Sequence, residues 1–349
     1  MEKRVLAVTH MMNYTGAPTV LRRMLAVLRE MDYEVYLVSM QEGEQRKEFE
    51  SIGVQIQVYP FFWNNREYMD FIGNTFDFII VNTMALSDLV VALNGRTIPV
   101  VWWLHEPGLF MKPMEIELKD NIYLYAAGAV VEEGIKEQLG YEASILNFGL
   151  EYMSSGTVEP EETNGVVRFL LAGQYSYVKG QDILVEAISE LSEEIRSKCR
   201  FIFIGNYGAD KYVNCVEEAS RKYNEVYMIP GVDREKMPDI YKMADCVIAP
   251  SRVDATPAVI VEGMMFGKIA LCSTGTGISR YIKDGENGFI FEKENVKALT
   301  DKITYIVNNF DKLNEVGRRG RQVYEKYFSM EVFRENVVRV LDDIGLKNK

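Results

Sequence analysis

The chain has 349 residues, too many for one hydrophobic core and about right for two domains. Hydrophobic residues make up 48% and charged residues 26%, so the chain is too apolar to be disordered. With 39 Lys and Arg against 51 Asp and Glu, the net charge of −12 lacks the basic footprint of a nucleic-acid binder. No apolar run approaches the roughly 18 residues of a membrane span.

The chain opens with Val5, Leu6, Ala7 and Val8, a short apolar run of the kind that forms a buried strand. The few residues before it leave no room for a secretory signal, so a cytoplasmic location is expected, with peripheral contact at the inner face of a membrane left open. A loop through Gly16 follows, and then Val20, Leu21, Met24, Leu25 and Leu28 recur at helical spacing. Further strand-like runs lie at 35–38, 78–81, 100–104 and 129–131. Runs of Val, Ile and aromatics without polar alternation predict strands covered on both faces, as in a parallel sheet wrapped by helices. Residues 151–165, rich in Ser, Thr, Glu, Pro and Gly, read as an interdomain linker. The rhythm restarts with strands at 169–172, 201–204, 246–249 and 269–272 and helices at 181–191 and 239–243. The stretch 330–344 is amphipathic and should pack back on one of the domains. Two successive doubly wound α/β units are expected, with ligand-binding residues in the loops beyond the carboxyl ends of strands.

Few residues are available for metal or redox chemistry. His10 and His105 are the two histidines, and Cys199, Cys215, Cys246 and Cys272 sit in or beside apolar runs without a Cys-x-x-Cys pair. Buried free thiols and no zinc site are expected. No G-x-G-x-x-G follows the first strand, which argues against a dinucleotide-dependent oxidoreductase. The informative segment is Asp254-Ala-Thr-Pro-Ala-Val-Ile-Val-Glu262-Gly-Met-Met-Phe-Gly267. Within it Thr256 reads as a helix N-cap, Pro257 as the first helical residue and Gly267 as the stop. Glu262 then lies among Val259, Ile260, Val261, Met264 and Met265, where a carboxylate is costly unless strong donors meet it. Asp254 precedes the helix, and both carboxylates can face one ligand near the helix start, where N–H groups also favour an anion. Gly16, between the first strand and its helix, would let backbone approach a phosphate. His105 ends the run at 100–104, at the strand edge where a ligand is expected, and His10 follows the first strand. The aromatic cluster Phe61, Phe62, Trp63, Tyr68 and Phe71 reads as core, with a lipid-facing or partner-facing surface as the other reading.

Asp254-x7-Glu262, followed by Gly-Met-Met-Phe-Gly-Lys268 and then Asp284-Gly-Glu-Asn-Gly288-Phe, resembles the C-terminal half of the retaining glycosyltransferases of family 4, which have the GT-B fold. Gly173-Gln-Tyr-Ser-Tyr-Val-Lys179-Gly180-Gln-Asp182 resembles that family's phosphate-binding segment. Thr15-Gly16-Ala17-Pro18 resembles its N-terminal glycine loop, and Trp103-Leu-His105-Glu106 its histidine segment. The resemblance implies two Rossmann-like doubly wound domains facing across a cleft. The acceptor-side domain would be 1–150 with the 330–349 tail packed on it, and the donor-side domain 166–329. It implies a UDP- or GDP-linked sugar donor and an acceptor that is a glycan, a lipid-linked molecule or a protein.

By this resemblance Glu262 accepts hydrogen bonds from the ribose hydroxyls and Asp254 from the donor sugar, two acceptor oxygens matching a vicinal diol. The backbone N–H groups of Thr256, Ala258 and Val259 would point at sugar and phosphate oxygens, and Gly16 would lie against the donor. Lys179 would neutralise the departing diphosphate, and His105 would touch the donor sugar or acceptor near the reacting carbon. Gln174 stands where the family often has Arg, so that Arg252 or Arg280 would supply the missing phosphate contact. No Asp-x-Asp signature follows a strand, and neither metal nor cofactor is expected. Gln174 and the short Asp254 also support a second reading, an inactive GT-B subunit that binds or stabilises another glycosyltransferase, and an oligomer or partner subunit is compatible with either.

Overall fold

The structure, a computed structural model, describes residues 3–114, 117–154, 165–206, 208 and 210–346. The chain divides into two compact units, Met1–Gly149 together with Met330–Lys349, and Leu150–Ser329. Most of the linker expected at 151–165, namely 155–164, lies outside the described residues.

The first unit is built on seven strands: β1 (Lys3–Thr9), β2 (Tyr33–Ser39), β3 (Gln55–Val58), β4 (Phe78–Asn82), β5 (Val100–Leu104), β6 (Ile122–Ala126) and β7 (Ser144–Ile145). They pair in parallel in the order β3-β2-β1-β4-β5-β6-β7. All five residues of β4 and of β5 are buried, as strands covered on both faces require. The second unit holds β8 (Val167–Ala172), β9 (Cys199–Gly205), β10 (Val226–Pro230), β11 (Cys246–Ala249), β12 (Ile269–Ser273) and β13 (Phe289–Phe291). These are also parallel, in the order β10-β9-β8-β11-β12-β13. Each order reverses beside its first strand, between β1 and β4 and between β8 and β11. Loops leaving the carboxyl ends of those strands part to opposite faces there, and the crevice between them is where such sheets bind ligands.

The α/β doubly wound expectation holds for both units. One strand was misplaced. Residues 129–131 open the helix Ala129–Leu139, which buries Val131 and Ile135 at four-residue spacing behind Gly128 at its cap, and the strand is β6 just upstream. The edge strands β3, β7, β10 and β13 left little trace in the sequence because they are short or only half covered.

The final helix, Met330–Asp343, belongs to the first unit. Phe333, fully buried, stacks on Trp103 of β5 at 6.2 Å. Arg334 pairs with Glu30 at the end of the helix Gly16–Glu30, and Tyr125 of β6 donates to Asp343 at 2.6 Å. Among the described residues no helix is long and apolar enough to cross a membrane. The four cysteines are free, and burial pushes the Cys199 and Cys272 thiols up to about 12, which leaves them unreactive.

All three tryptophans of the chain, Trp63, Trp102 and Trp103, lie in the first unit, so their fluorescence reports it alone. Phe333→Ala should lower the stability of that unit by about 3–5 kcal/mol, through the buried apolar surface lost and the cavity left beside Trp103. Urea unfolding followed by tryptophan emission measures it, and an unchanged midpoint would remove the last helix from the core.

Candidate functional site

In the second unit the two loops at the reversal point are tied together. The backbone N–H of Arg252, after β11, donates to the carbonyl of Val178, after β8, at 2.8 Å. The loop after β11 is in turn clasped by the segment after β12. Asp254 N–H donates to Gly275 O and Gly277 N–H donates to Asp254 O, both at 3.0 Å. A Cβ at Gly275 would lie 2.3 Å from the Arg252 carbonyl, and one at Gly277 1.8 Å from that of Ala255. Only glycine lets the two backbones approach this closely.

That clasp sets Asp254, whose side chain is 12% exposed, within 2.6 Å of the Lys179 ammonium (Oδ2 to Nζ). Lys179 ends the turn Tyr177–Lys179 after β8. One of its three N–H donors is engaged with Asp254, and the Asp254 Oδ1 atom is left to accept from another partner.

Glu262 lies in the helix Ala258–Met265, which is otherwise almost wholly apolar, and is 7% exposed. The donors its burial demands are present. Oε2 accepts from the Tyr241 hydroxyl at 2.6 Å, and Oε1 meets Arg234 Nη2 at 3.3 Å. Burial and the adjacent carboxylate hold the Tyr241 phenol well above its ordinary pKa, so it remains a proton donor.

The other sequence-predicted residues fall less uniformly. The helix starts at Ala258, with Pro257 rather than Thr256 at the cap, and the Thr256 hydroxyl donates to Ala255 O at 2.6 Å. Thr256 is therefore not the N-cap: its side chain faces back into the loop, one residue short of the cap position. Ala258 and Val259 occupy the first turn, where backbone N–H groups lack helical acceptors. Arg252 is engaged within its own unit. It pairs with Asp182 through both oxygens at 2.9 and 2.8 Å, with Glu294 at 2.9 Å and with Tyr177 O at 2.8 Å. Four of its five N–H groups thus serve to brace the loop, which departs from the phosphate contact expected of it.

In the first unit Gly16 heads the helix Gly16–Glu30 without a left-handed φ, and a Cβ there would meet nothing within 4 Å. The fold itself does not ask for glycine at this position. His105 follows β5; its Nε2 lies 2.8 Å from Asn82 Oδ1, and its ring sits 4.7 Å from that of Trp103. Burial, with His10 nearby, brings its pKa down to about 3. The Glu106 carboxylate accepts from the backbone N–H of both His105 and Met84, at 3.1 and 3.0 Å, and joins the ends of β5 and β4. Between them Thr83 has φ +93°, a strained conformation for a β-branched residue. It is held by bonds to Trp103 O and Trp102 Nε1, and its hydroxyl lies 3.2 Å from His10 Nδ1. Of the aromatic cluster, Phe62 is core and packs against Trp63 and Tyr68, while Phe61 and Phe71 are exposed.

Asn82, Thr83, Arg234 and Tyr241 carried no signal in the sequence, because each owes its place to a partner 20 or more residues away or to a strained turn. Glu106 stood in a quoted motif but had no assigned part.

Two family models match the chain: glycosyl transferases group 1 over residues 159–323, and glycosyl-transferase family 4 over residues 1–111. Among curated proteins, a glycogen synthase of Thermodesulfovibrio yellowstonii is 28% identical over 45% of this chain and 31% of its own length. A lipopolysaccharide 1,2-N-acetylglucosaminetransferase of Salmonella typhimurium is 34% identical over 34% of this chain and 33% of its own. The chain spans about a third to about half the length of the curated relatives it matches first. Among solved structures, HepE of Anabaena in complex with UDP and glucose superposes with a TM-score of 0.76 at 16% identity, over 97% of this chain and 99% of that one. A likeness of this kind shows the fold, that of the GT-B glycosyltransferases.

With two histidines, ring proton resonances are assignable by a single substitution. His105 should stay neutral from pH 8 to pH 5, and His10, lowered by burial against the opposing charge of Glu106, should titrate below 6.5. A neutral, half-buried His105 binds its proton more weakly folded than unfolded, so stability is present above the unfolded pKa of about 6.5 and lost as the pH falls below it. Between pH 7 and pH 5 this amounts to about 1–2 kcal/mol. His105→Gln should flatten that part of the stability profile; a His105 ring that protonates near pH 6.5 contradicts the assignment.

Proposed function

Since the chain belongs to the group 1, family 4 glycosyltransferases, we propose that it moves a sugar from a nucleoside-diphosphate sugar to an acceptor hydroxyl with retention at the anomeric carbon. The observation that carries this reading is the pairing of Lys179 with Asp254 on loops at the reversal point of the second sheet, with the buried carboxylate of Glu262 on the helix that follows. Asp254 and Glu262 offer carboxylate oxygens to hydroxyl donors, while Lys179 retains two N–H groups for phosphate oxygens. Sugar ring and diphosphate would thus be held by one ion pair, which places the ammonium where charge builds as the bond breaks. Ala258 and Val259 add backbone N–H groups at the helix start.

In this reading the bond between the anomeric carbon and the diphosphate oxygen breaks, and the acceptor oxygen bonds to the same face of that carbon. The acceptor proton passes to the leaving phosphate. No nucleophile is required of the protein. His105, neutral and held by Asn82, would orient the donor sugar or acceptor, and Gly16 would let backbone lie against the donor. UDP- and glucose-bound HepE supports a uridine donor, and the named relatives support a glycan or glycoconjugate acceptor. Metal-independent transfer is part of this reading because no Asp-x-Asp signature follows a strand in the sequence.

Glu262→Gln should weaken binding of UDP or GDP about 10- to 100-fold by calorimetry, the worth of a charge-assisted hydrogen bond. Lys179→Gln should lower kcat about 100- to 1000-fold with a smaller change in KM, since its charge is used most as the diphosphate leaves. Turnover should persist in EDTA. A wild-type chain that binds neither nucleotide would overturn the transferase reading in favour of a partner subunit, which Gln174 in place of Arg also fits. Gly16→Ala should leave the melting temperature unchanged, since a methyl there meets nothing, yet raise the donor KM; an unaltered KM would remove Gly16 from the site.

A further inference from the structure

The two oxygens of Glu262 lie in unlike surroundings. Tyr241, on the helix Met237–Met243, is fully buried and stacks on Phe266 with ring centres 5.7 Å apart and planes 17° from parallel. Its hydroxyl donates to Oε2 at 2.6 Å. Packing on all sides leaves this phenol no other rotamer to visit, and its elevated pKa keeps the proton on it. Arg234 is the opposite kind of partner. Its side chain is 60% exposed, and Nη2 lies 3.3 Å from Oε1, longer than a tight charge-assisted bond of about 2.7–2.9 Å. Water screens such a contact, and a guanidinium on a solvated stem exchanges partners readily.

We propose that Tyr241 is a positioning residue for nucleotide binding: its buried hydroxyl locks Oε2 of Glu262 and so presents Oε1 to the ribose hydroxyls, with Arg234 as the exchangeable partner of that second oxygen. The proposal rests on Glu262 as the ribose-binding carboxylate. Without Tyr241 the carboxylate can rotate about its terminal torsion, a broad and soft one, and Oε1 is no longer held toward the ribose hydroxyls. Tyr241 does not touch the substrate in this account, so the chemical step should be nearly indifferent to it.

The test is calorimetry on the full chain with UDP, or with GDP where UDP does not bind, alongside steady-state kinetics. Tyr241→Phe removes one oxygen and keeps the ring stack. It should raise the nucleotide Kd and the donor KM about 5- to 20-fold while kcat changes less than about twofold. In a Glu262→Gln background the same substitution should have no further effect, since Tyr241 acts only through the carboxylate. Arg234→Gln, at a solvated position that tolerates change, should alter the Kd less than Tyr241→Phe does. Nucleotide binding unchanged by Tyr241→Phe, or multiplying of the Tyr241 and Glu262 effects, would overturn the proposal. A larger loss from Arg234→Gln than from Tyr241→Phe would overturn it too, and that variant remains informative if Tyr241→Phe fails to fold. If Glu262→Gln itself leaves binding intact, the ribose reading falls; if Glu262→Gln weakens binding and Tyr241→Phe does not, only the role of Tyr241 falls.

Discussion

A carboxylate set into an apolar helix must find donors or lose its charge, and the second unit is arranged around that demand at Glu262. Placing Tyr241 beneath it requires the helix Met237–Met243 to pack tightly enough to bury a whole phenol. Placing Arg234 beside it requires the turn before that helix to reach back over the same spot. Neither partner is near Glu262 in sequence. The fold therefore brings two elements together to give one acid its hydrogen-bond donors, and the burial that makes the acid costly also makes those hydrogen bonds strong.

The same logic of opposed requirements runs through the neighbouring loops. Asp254 can sit against Lys179 because the backbone after β12 comes close enough to clasp its loop, and this closeness depends on Gly275 and Gly277. Arg252, expected from the sequence to meet a phosphate, is given over to bracing that loop against Asp182 and Glu294. In the first unit Thr83 holds a backbone conformation unfavourable for its side chain, and the strain is met by bonds from both sides. Such over-determined turns occur where a chain must aim particular groups, here His105 and His10, rather than merely change direction.

Much of the architecture was legible as pattern. Continuous apolar runs marked β1, β4, β5, β8, β11 and β12 because strands covered on both faces carry no polar alternation. Legibility failed where local signals compete. Ala129, Val130 and Val131 look like a strand until the following turns show a helical period, and Thr256 looks like a cap although its hydroxyl turns inward. Edge strands such as β3, with two of four residues exposed, leave no apolar run to read.

The residues of the candidate site divide in the same way. Composition, strand spacing and the apolar setting of Glu262 were enough to establish two doubly wound units and to single out Asp254, Glu262, Gly16 and His105, since these depend on neighbours along the chain, whereas Lys179 stood out only through the family resemblance of its segment. Which side chains meet them was decided only by the tertiary structure. Tyr241 on Glu262, Asn82 on His105 and Asp182 on Arg252 are pairings across 20 to 70 residues, set by where the sheet order brings distant loops. Hydrogen bonds act over about 3 Å, whereas sequence periodicity speaks only of which face a residue takes, and that difference in range is why the partners had to await the fold.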